Sequence, residues 1–525
     1  MLKMIYMLFA VMLAGYCFQP ALAADHKIVV IADPHVMPAS LLTNPNNPDW
    51  TTCLNEDRKL LDYSQTLFDQ AMTDITTIKP ELVLIVGDLT KDGEEASHNY
   101  LKGKLDDLKD AGIQTLVIPG NHDLGTTDAK IFGKTTTPAA TIDKDDFATL
   151  YEDYGYGATS ERESVSSLTY ACEPIEGIMV IGIDTGIEGK LSDKTLTWVC
   201  DKAQAAHAEG KQVIAMMHYP LIPHITGGET FVSSVSVDNY ANVRNSLADA
   251  GISVVFSGHF HTSDIAKDWN GDKSKTIYDV TTSSLCSYPC DYRIVTLNNT
   301  LTSMSIATKS ITSAGAPIGG GDSFTTSIAK QRLESCMTSS LTPIIKAKLM
   351  ERLNSDYLAT AGANTIVPKL VDAYIYHAEG NENDNSDAQT LLMALNSLLS
   401  TYPAYQAMAN SMLQDKSNYG DADREDQTND RTLTIPIKEN GEEDIATRRP
   451  GDANNDEHVD VADIVEMVNA KEGKPTSENF SLMNADIVNA DNAVSQDDID
   501  AGVMIIMGTV DEDDKVEDTN NIKAN

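Results

Sequence analysis

Short apolar runs alternate with longer amphipathic segments over the first 300 residues. The runs are rich in β-branched residues and end abruptly in polar residues, which is typical of buried strands that lead into loops. The longer segments carry apolar residues at helical spacing, which predicts helices. The predicted strands cover 28–32, 82–86, 116–118, 213–217 and 254–256, and the predicted helices cover 56–78, 99–111, 194–209 and 239–250. This alternation predicts an α/β domain at residues 24–310.

The pattern changes after the predicted sheet. Leucine and methionine residues recur near helical spacing from residue 324 to 413, which predicts a small all-α extension at 311–415. Residues 416–447 are acidic with few apolar positions and are predicted to be a linker. Two earlier segments, a Pro- and Asn-rich one at 36–50 and a Thr-rich one at 126–140, lack periodicity and are predicted to be loops near the site.

The N-terminus has the pattern of a secretory signal. Lys3 precedes an apolar run at residues 4–16, and Ala21-Leu22-Ala23 supplies small residues for cleavage after Ala23. The apolar run is too short to cross a bilayer, and no other segment is long and apolar enough. We therefore expect a signal peptide at 1–23 and a periplasmic or secreted protein without a transmembrane segment. A lipid anchor on Cys17 is the less favoured alternative, because Tyr16 precedes it where a small residue is needed.

Six cysteines remain after cleavage, and an even number in an exported protein permits disulfides whose pairing the sequence leaves open. Cys286 and Cys290 could close a small loop. A zinc site on the same pair is the weaker alternative, because a second pair of ligands is missing.

The formal net charge is −39, which argues against binding to a nucleic-acid polymer. The charge is uneven: residues 421–525 contain 28 Asp or Glu against 9 Lys or Arg. About half of the excess therefore lies in the last fifth of the chain.

Polar residues of the metal-binding type follow five of the predicted strands. A single Asp or His after a strand is usually a turn or capping residue. Five such strand ends in an open α/β architecture are expected to converge in one cleft, because sites in this architecture form beyond the carboxyl ends of the strands. The residues are Asp33 and His35, Asp88, Asn121 and His122 in Gly-Asn-His-Asp, His218, and finally His259 and His261.

In this order, Asp-x-His, Gly-Asp, Gly-Asn-His-Asp, a lone His and Gly-His-x-His resemble the calcineurin-like metallophosphoesterase superfamily over about residues 26–300. The resemblance implies a β-sandwich flanked by helices, with two divalent metals. One metal would be bound by Asp33, His35, Asp88 and His261, and the other by Asp88, Asn121, His218 and His259. Asp88 would bridge the metals and His122 would face the substrate. Carboxylate, amide and imidazole ligands suit Mn, Fe or Zn without choosing among them.

The resemblance implies hydrolysis of a small phosphoester by metal-activated water, with His122 assisting the leaving group. A phosphodiesterase is favoured, because the stretches at 257–265 and 284–293 are similar to exported bacterial enzymes related to cyclic-nucleotide phosphodiesterases. A phosphomonoesterase, including one that acts on phosphoprotein, is the alternative. Tyr219, His224 and Arg293 are candidates for lining the substrate pocket, although a salt-bridged Arg is the commoner case.

The acidic tail contains a second pattern. Six residues fall at positions 1, 3, 5, 7, 9 and 12 of a calcium loop, namely Asp452, Asn454, Asp456, His458, Asp460 and Asp463. Glu457 replaces the usual glycine, and a second copy around Asp491 lacks an acid at its first position. The tail resembles a C-terminal dockerin-like helical Ca module at 448–510, before an acidic end at 511–525. One bound calcium and a docked protein partner are expected, and a calcium-dependent binding protein is the alternative function.

Overall fold

The structure is a computed structural model that describes residues 25–226, 234–271, 273–382, 385–414 and 429–437. Of the later chain it describes 453–454, 459, 461–472, 474, 476, 485, 494–496, 499, 501 and 503. The chain divides into two compact units, Met1–Glu439 and Asn440–Asn525, and each is described by itself. The signal peptide predicted at 1–23 lies outside the described residues.

The strands, in chain order, are β1 His26–Ile31, β2 Leu82–Val86, β3 Gln114–Ile118, β4 Lys130–Phe132, β5 Thr136–Pro138, β6 Glu161–Arg162, β7 Tyr170–Ile175, β8 Ile178–Ile183, β9 Gln212–Met217, β10 Val254–Ser257, β11 Asp264–Trp269, β12 Thr276–Thr281, β13 Asp291–Leu297, β14 Ser303–Ser310 and β15 Thr432–Pro436. The helices are α1 Pro48–Glu56, α2 Ser64–Ile78, α3 Glu95–Asp110, α4 Lys144–Leu150, α5 Asp193–Ala208, α6 Tyr240–Asp249, α7 Thr326–Leu353, α8 Asp356–Glu379, α9 Ser386–Leu398, α10 Pro403–Gln414 and α11 Val461–Lys471.

Two sheets form the centre of the first unit. One has the order β15-β14-β13-β1-β2-β3, and the other has the order β11-β12-β10-β9-β8-β7-β6. Strands β1, β2 and β3 are parallel in the first sheet, as are β8, β9, β10 and β12 in the second. The α/β architecture predicted from the alternating pattern is confirmed. Parallel pairing matters for the site, because it brings the carboxyl ends of these strands to a common edge.

Alternating side chains of the second sheet face two different layers. Val180, Ile214 and Phe256 share one core with residues of the first sheet. Ile181 and Val213 face the other way, into a core with α5 and α6. Because successive side chains of a strand point to opposite faces, the nearly continuous apolar runs supply both layers.

The helix predicted at 56–78 begins only at Ser64, as α2, and a separate helix, α1, ends at Glu56. Helix α1 begins at Pro48, inside the predicted loop at 36–50. The Asn47 side chain accepts hydrogen bonds from the backbone N–H groups of Asp49 and Trp50, which caps the helix. The other predicted loop, at 126–140, contains the β4–β5 hairpin.

The structure places α7 to α10 where the all-α extension was predicted, within the same compact unit as the sheets. The predicted linker at 416–447 requires a correction, because part of it is strand β15. This strand pairs antiparallel with β14 and forms the outermost strand of the first sheet. Its Ile435 side chain is fully buried. Burial of this side chain and pairing along an open sheet edge outweigh the polar composition that suggested a linker.

The six cysteines at positions 53, 172, 200, 286, 290 and 336 are unpaired. Cys286 and Cys290 are both buried, and burial raises the pKa of each thiol. The small disulfide loop considered for this pair is therefore absent from the structure. Among the described residues, no helix combines the length and apolar character needed to span a bilayer.

Candidate dinuclear metal site

The site lies beyond the carboxyl ends of five strands. Asp33 and His35 follow β1, Asp88 follows β2, and Asn121 and His122 follow β3 in the first sheet. His218 follows β9, and His259 and His261 follow β10 in the second sheet. The structure brings all of these side chains together in two adjoining clusters.

The first cluster contains Asp33, His35 and His261, whose ligand atoms lie within 4.8 Å of one another. The Nε2 atoms of His35 and His261 are 3.2 Å apart, and His261 Nε2 is 3.5 Å from Asp33 Oδ1. Asp88 Oδ2 lies 3.6 Å from His35 Nε2. These four side chains are the set predicted for one metal.

The second cluster contains Asp88, His218 and His259, whose ligand atoms also lie within 4.8 Å of one another. Asn121 Oδ1 is 3.0 Å from His218 Nε2 and 2.9 Å from His259 Nδ1. Asp88 Oδ2 is 3.4 Å from His218 Nε2. One carboxylate oxygen of Asp88 therefore lies near both clusters, as a bridging ligand requires.

The donor atoms fit two divalent cations. His35 and His261 direct their Nε2 atoms at each other, while the Nδ1 atom of each is buried without a hydrogen-bond partner. Burial lowers the pKa of His35, His259 and His261, in the case of His259 to about 3. Neutral imidazoles with free lone pairs are the form that binds metals. Carboxylate, amide and imidazole donors are together suited to Mn, Fe or Zn.

The two carboxylates differ in protonation. Burial raises the pKa of Asp33 to about 7, although the nearby His218 opposes the shift. For Asp88 the burial effect is outweighed, because His218 and His122 hold its pKa well below the usual range. The proposed bridging carboxylate is thus ionised at neutral pH.

The backbone of the site is strained. Five of the non-glycine site residues adopt positive φ angles, each worth roughly 1–3 kcal/mol of strain, namely Asp33, His35, Asp88, His259 and His261 at 49°, 41°, 48°, 65° and 62°. Two glycines permit the close approach of the loops. A Cβ on Gly120 would lie 2.3 Å from the Asp88 nitrogen, and one on Gly258 would lie 2.4 Å from Asp33 Oδ2.

His122 is held differently from the metal-type ligands. Its Nδ1 atom lies 2.9 Å from both the Lys91 carbonyl oxygen and Asp92 Oδ1, so Nδ1 carries a proton and donates it. Its backbone N–H donates to Asp88 Oδ1 at 2.8 Å. The ring can also be grouped with His35 and Asp88 by ligand-atom distance. With Nδ1 committed, Nε2 is the atom of His122 that remains for a substrate.

The charges around His122 favour its protonated form. Burial and the Lys59 ammonium both lower the pKa of His122, but the carboxylates of Asp88 and Asp92 outweigh them and leave the pKa above its usual value. Asp92 also forms an ion pair with Lys91, whose ammonium lies 3.6 Å from Glu94 Oε1. The ring of His122 is therefore oriented by a carboxylate that is itself held in place.

Sequence reasoning did not find Asp92. Asp123, the residue directly after His122, has a turn role instead. The buried Asp123 carboxylate accepts hydrogen bonds from the backbone N–H groups of Leu89, Thr90 and Gly120 at 2.8–3.0 Å. Asp92 carries no periodic signal, and only its position four residues after Asp88 hints at a role.

The three residues predicted to line the substrate pocket all make contacts with other protein groups. The Tyr219 ring packs on the His259 ring with centroids 4.1 Å apart, and the Tyr219 hydroxyl donates to the Ile187 carbonyl oxygen. Tyr219 therefore supports His259, one of the proposed metal ligands. His224 is buried and ion-paired with Asp264 at 2.7 Å. Arg293 is fully buried and donates to Thr308 Oγ1 and to the Thr281 carbonyl oxygen. Both His224 and Arg293 are buried against protein groups, and their role in lining the substrate pocket stays a prediction.

In the second unit, Asp463 is buried and its Oδ1 accepts a hydrogen bond from the Asn454 nitrogen at 2.9 Å. This contact connects the third and the twelfth positions of the predicted calcium loop. Asp452, Asp456, His458 and Asp460 lie outside the described residues, as does Asp491 in the second copy. The calcium site stays a prediction.

Comparison with known proteins agrees with this geometry. Residues 26–263 match the family model for the calcineurin-like phosphoesterase. A cAMP/cGMP dual specificity phosphodiesterase from Mycobacterium tuberculosis is 22% identical over 191 residues, which cover 35% of this chain and 50% of the relative. A probable glycerophosphodiester phosphodiesterase from Arcobacter nitrofigilis is 26% identical over 175 residues, which cover 33% and 51%. The chain thus spans about half the length of these curated relatives.

Among solved structures, a dimetal phosphatase from Danio rerio aligns with a TM-score of 0.39 at 12% identity, covering 55% of this chain and 97% of that one. A purple acid phosphatase from yellow lupin aligns with a TM-score of 0.32 at 10% identity, covering 58% and 53%. The family match, together with the two ligand clusters that share Asp88, shows that residues 26–263 form a calcineurin-like metallophosphoesterase domain.

Proposed function

We propose that this protein is an exported, dinuclear-metal phosphodiesterase. The observation that carries the proposal is the position of Asp88 between two ligand clusters, with His122 beside them. Export is supported by the apolar run at residues 4–16 and the small residues that follow it.

Two divalent cations bound in the clusters would lower the pKa of a nucleophilic water and offset the charge of the phosphoryl oxygens. The chain itself supplies leaving-group assistance through His122. Its Nδ1 proton is donated to Lys91 and Asp92, which fixes the ring and leaves Nε2 to protonate the departing oxygen. A general acid of this kind contributes typically about 10²–10⁴-fold.

The relatives favour a diester over a monoester. The two curated relatives described above are both named as phosphodiesterases, one for cyclic nucleotides and one for glycerophosphodiesters. A protonated His122 suits such substrates, because they release an alkoxide, although an alkyl monoester does so as well.

The test is a substrate panel on the metal-loaded protein, containing bis-p-nitrophenyl phosphate, p-nitrophenyl phosphate, a glycerophosphodiester, and 2′,3′- and 3′,5′-cyclic nucleotides. We expect a higher kcat/KM on the diesters than on p-nitrophenyl phosphate. A preference for the monoester would replace the proposal with the phosphomonoesterase alternative. Loss of all rates when both metals are removed, and recovery when Mn, Fe or Zn is restored, would show that the clusters are the site.

For the second unit we propose a calcium-binding, dockerin-like module that docks a protein partner. Support comes from the ligand spacing at 452–463 and from the contact between Asp463 and Asn454. Helix α11 begins at Val461, the tenth position of the loop, so that a helix leaves the loop as in a helix-flanked calcium site.

A further inference from the structure

The loop between β10 and β11 carries one ligand for each metal cluster. His261 belongs to the first cluster and His259 to the second, and Phe260 lies between them. Both histidines have positive φ angles, so their backbone conformation is not one that the local sequence prefers. Contacts from elsewhere in the fold must hold this loop in place.

One set of contacts comes from Tyr374 in helix α8 of the all-α extension and from Arg58, which lies between α1 and α2. The Arg58 Nη1 atom donates to the Tyr374 hydroxyl at 3.0 Å, and Nη2 lies 3.4 Å from the Phe260 carbonyl oxygen. The Tyr374 hydroxyl lies 3.5 Å from the same carbonyl oxygen. The Arg58 guanidinium also lies over the Tyr374 ring, 5.9 Å from its centroid. Arg58 and Tyr374 thus contact each other and converge on Phe260.

A second set holds the other end of the loop. The Ser263 nitrogen donates to the carbonyl oxygen of Ala378, near the end of α8, at 3.2 Å. Gly380 follows the helix with a positive φ, and a Cβ on it would lie 2.5 Å from the Ser263 carbonyl oxygen. The C-terminal half of α8 therefore packs directly against both ends of the segment 260–263.

We propose that helix α8 is a component of the metal site, with Arg58 and Tyr374 as positioning residues that act through the Phe260 carbonyl on His259 and His261. The described residues of the all-α extension contribute no ligand to either cluster. It contributes by holding two strained ligands in the geometry that metal binding requires. The inference rests on the ligand assignment and is independent of the substrate.

The test measures metal affinity in the full-length protein. Metal-depleted wild type, Arg58→Met and Tyr374→Phe are titrated with Co²⁺ and followed by its visible absorption. Changes in residues that support metal ligands cost about 10–100-fold in metal affinity. We expect a loss in this range for Arg58→Met and a smaller one for Tyr374→Phe, in both Co²⁺ equivalents, with altered absorption bands. In the double variant the losses should not add, because both residues act on one carbonyl group.

Arg352→Met is the matched control. Arg352 also lies over a tyrosine ring, that of Tyr402 at 5.3 Å, and donates to a backbone carbonyl oxygen, that of Thr401 at 2.8 Å. It does not contact the ligand loop in the described structure, so its variant should bind Co²⁺ like wild type. The melting temperature of each metal-free variant is measured in parallel. Wild-type Co²⁺ affinity in both test variants, or a fall in melting temperature without a change in affinity, would overturn the proposal.

Discussion

Asp92 Oδ1 lies 2.9 Å from His122 Nδ1, which makes a carboxylate–imidazole pair beside the metal site. The carboxylate is itself ion-paired with Lys91. The pair fixes which nitrogen of His122 can reach a substrate, and the negative charge of Asp92 favours the imidazolium form of His122.

Replacing Asp92 with Asn should lower both the rate and the pH at which the rate declines. The Asp92 carboxylate raises the pKa of His122, so its removal lowers that pKa. His122 must be protonated to act as an acid, and the alkaline limb of kcat should therefore move to lower pH. We expect a kcat loss of roughly 10–100-fold, within the general-acid contribution. A pH–rate profile with metal analysis checks this. An unshifted alkaline limb would contradict the role of Asp92.

His122→Ala should be selective for the leaving group. Substrates that release p-nitrophenolate should lose little, because this oxygen departs without protonation. Substrates that release an alkoxide should lose about 10²–10⁴-fold. Metal content should stay at the wild-type level. Equal losses on both classes would point to phosphate binding instead, and loss of metal would identify His122 as a ligand.

Asp88→Ala should be more damaging to metal binding than Asn121→Ala. Asp88 Oδ2 lies near His35 and His218, one from each cluster, whereas Asn121 Oδ1 contacts His218 and His259 of the second cluster only. We expect Asp88→Ala to bind both metals weakly and Asn121→Ala to bind one metal weakly, with affinity losses of at least about 100-fold. Equilibrium dialysis with metal analysis measures this. Two tightly bound equivalents in Asp88→Ala would exclude a bridging role.

Truncation after Asn440 should leave phosphoesterase activity intact and abolish calcium binding. The truncation falls at the boundary between the two compact units, and all ligands of the two clusters of the first unit lie before it. Calorimetry with Ca²⁺ on the full chain, the truncated chain and Asp452→Ala checks the second part. An inactive truncated protein that still folds and binds its metals would show that the tail contributes to the site.

Because of His224, the stability of the folded protein should decrease as the pH becomes alkaline. Burial lowers the pKa of His224, but Asp264 and Asp279 outweigh this effect and raise it from 6.5 to about 9. Its stabilising contribution is therefore complete below pH 6.5 and is lost as the pH rises through about 9. The melting temperature should fall more steeply over this range in wild type than in His224→Gln. His207→Gln is the control, because His207 is bonded to a neutral carbonyl oxygen. Equal slopes in wild type and His224→Gln would contradict the prediction.

The metal-type ligands could be predicted from sequence because each lies within a few residues of the end of a strand. Strand ends are local features, and parallel pairing brings those of each sheet to one edge. Packing of the two sheets against each other then brings the two edges together. Asp33, Asp88 and His218 are therefore recognisable without a structure. The same reasoning did not predict the surroundings of His224 and Arg293, because burial against other protein groups is not visible in a local pattern.

The residue pattern is enough to predict the α/β alternation, the five strands that lead into the site and the residue types at their ends. Which groups support those residues depends on packing between distant parts of the chain. Asp92 reaches His122 across 30 residues of chain, and Arg58 reaches Tyr374 across 316. Strand β15 joined the sheet although its surroundings have the composition of a linker. These contacts depend on side chains brought together by packing, and hydrophobic periodicity describes only neighbours within one helix or strand.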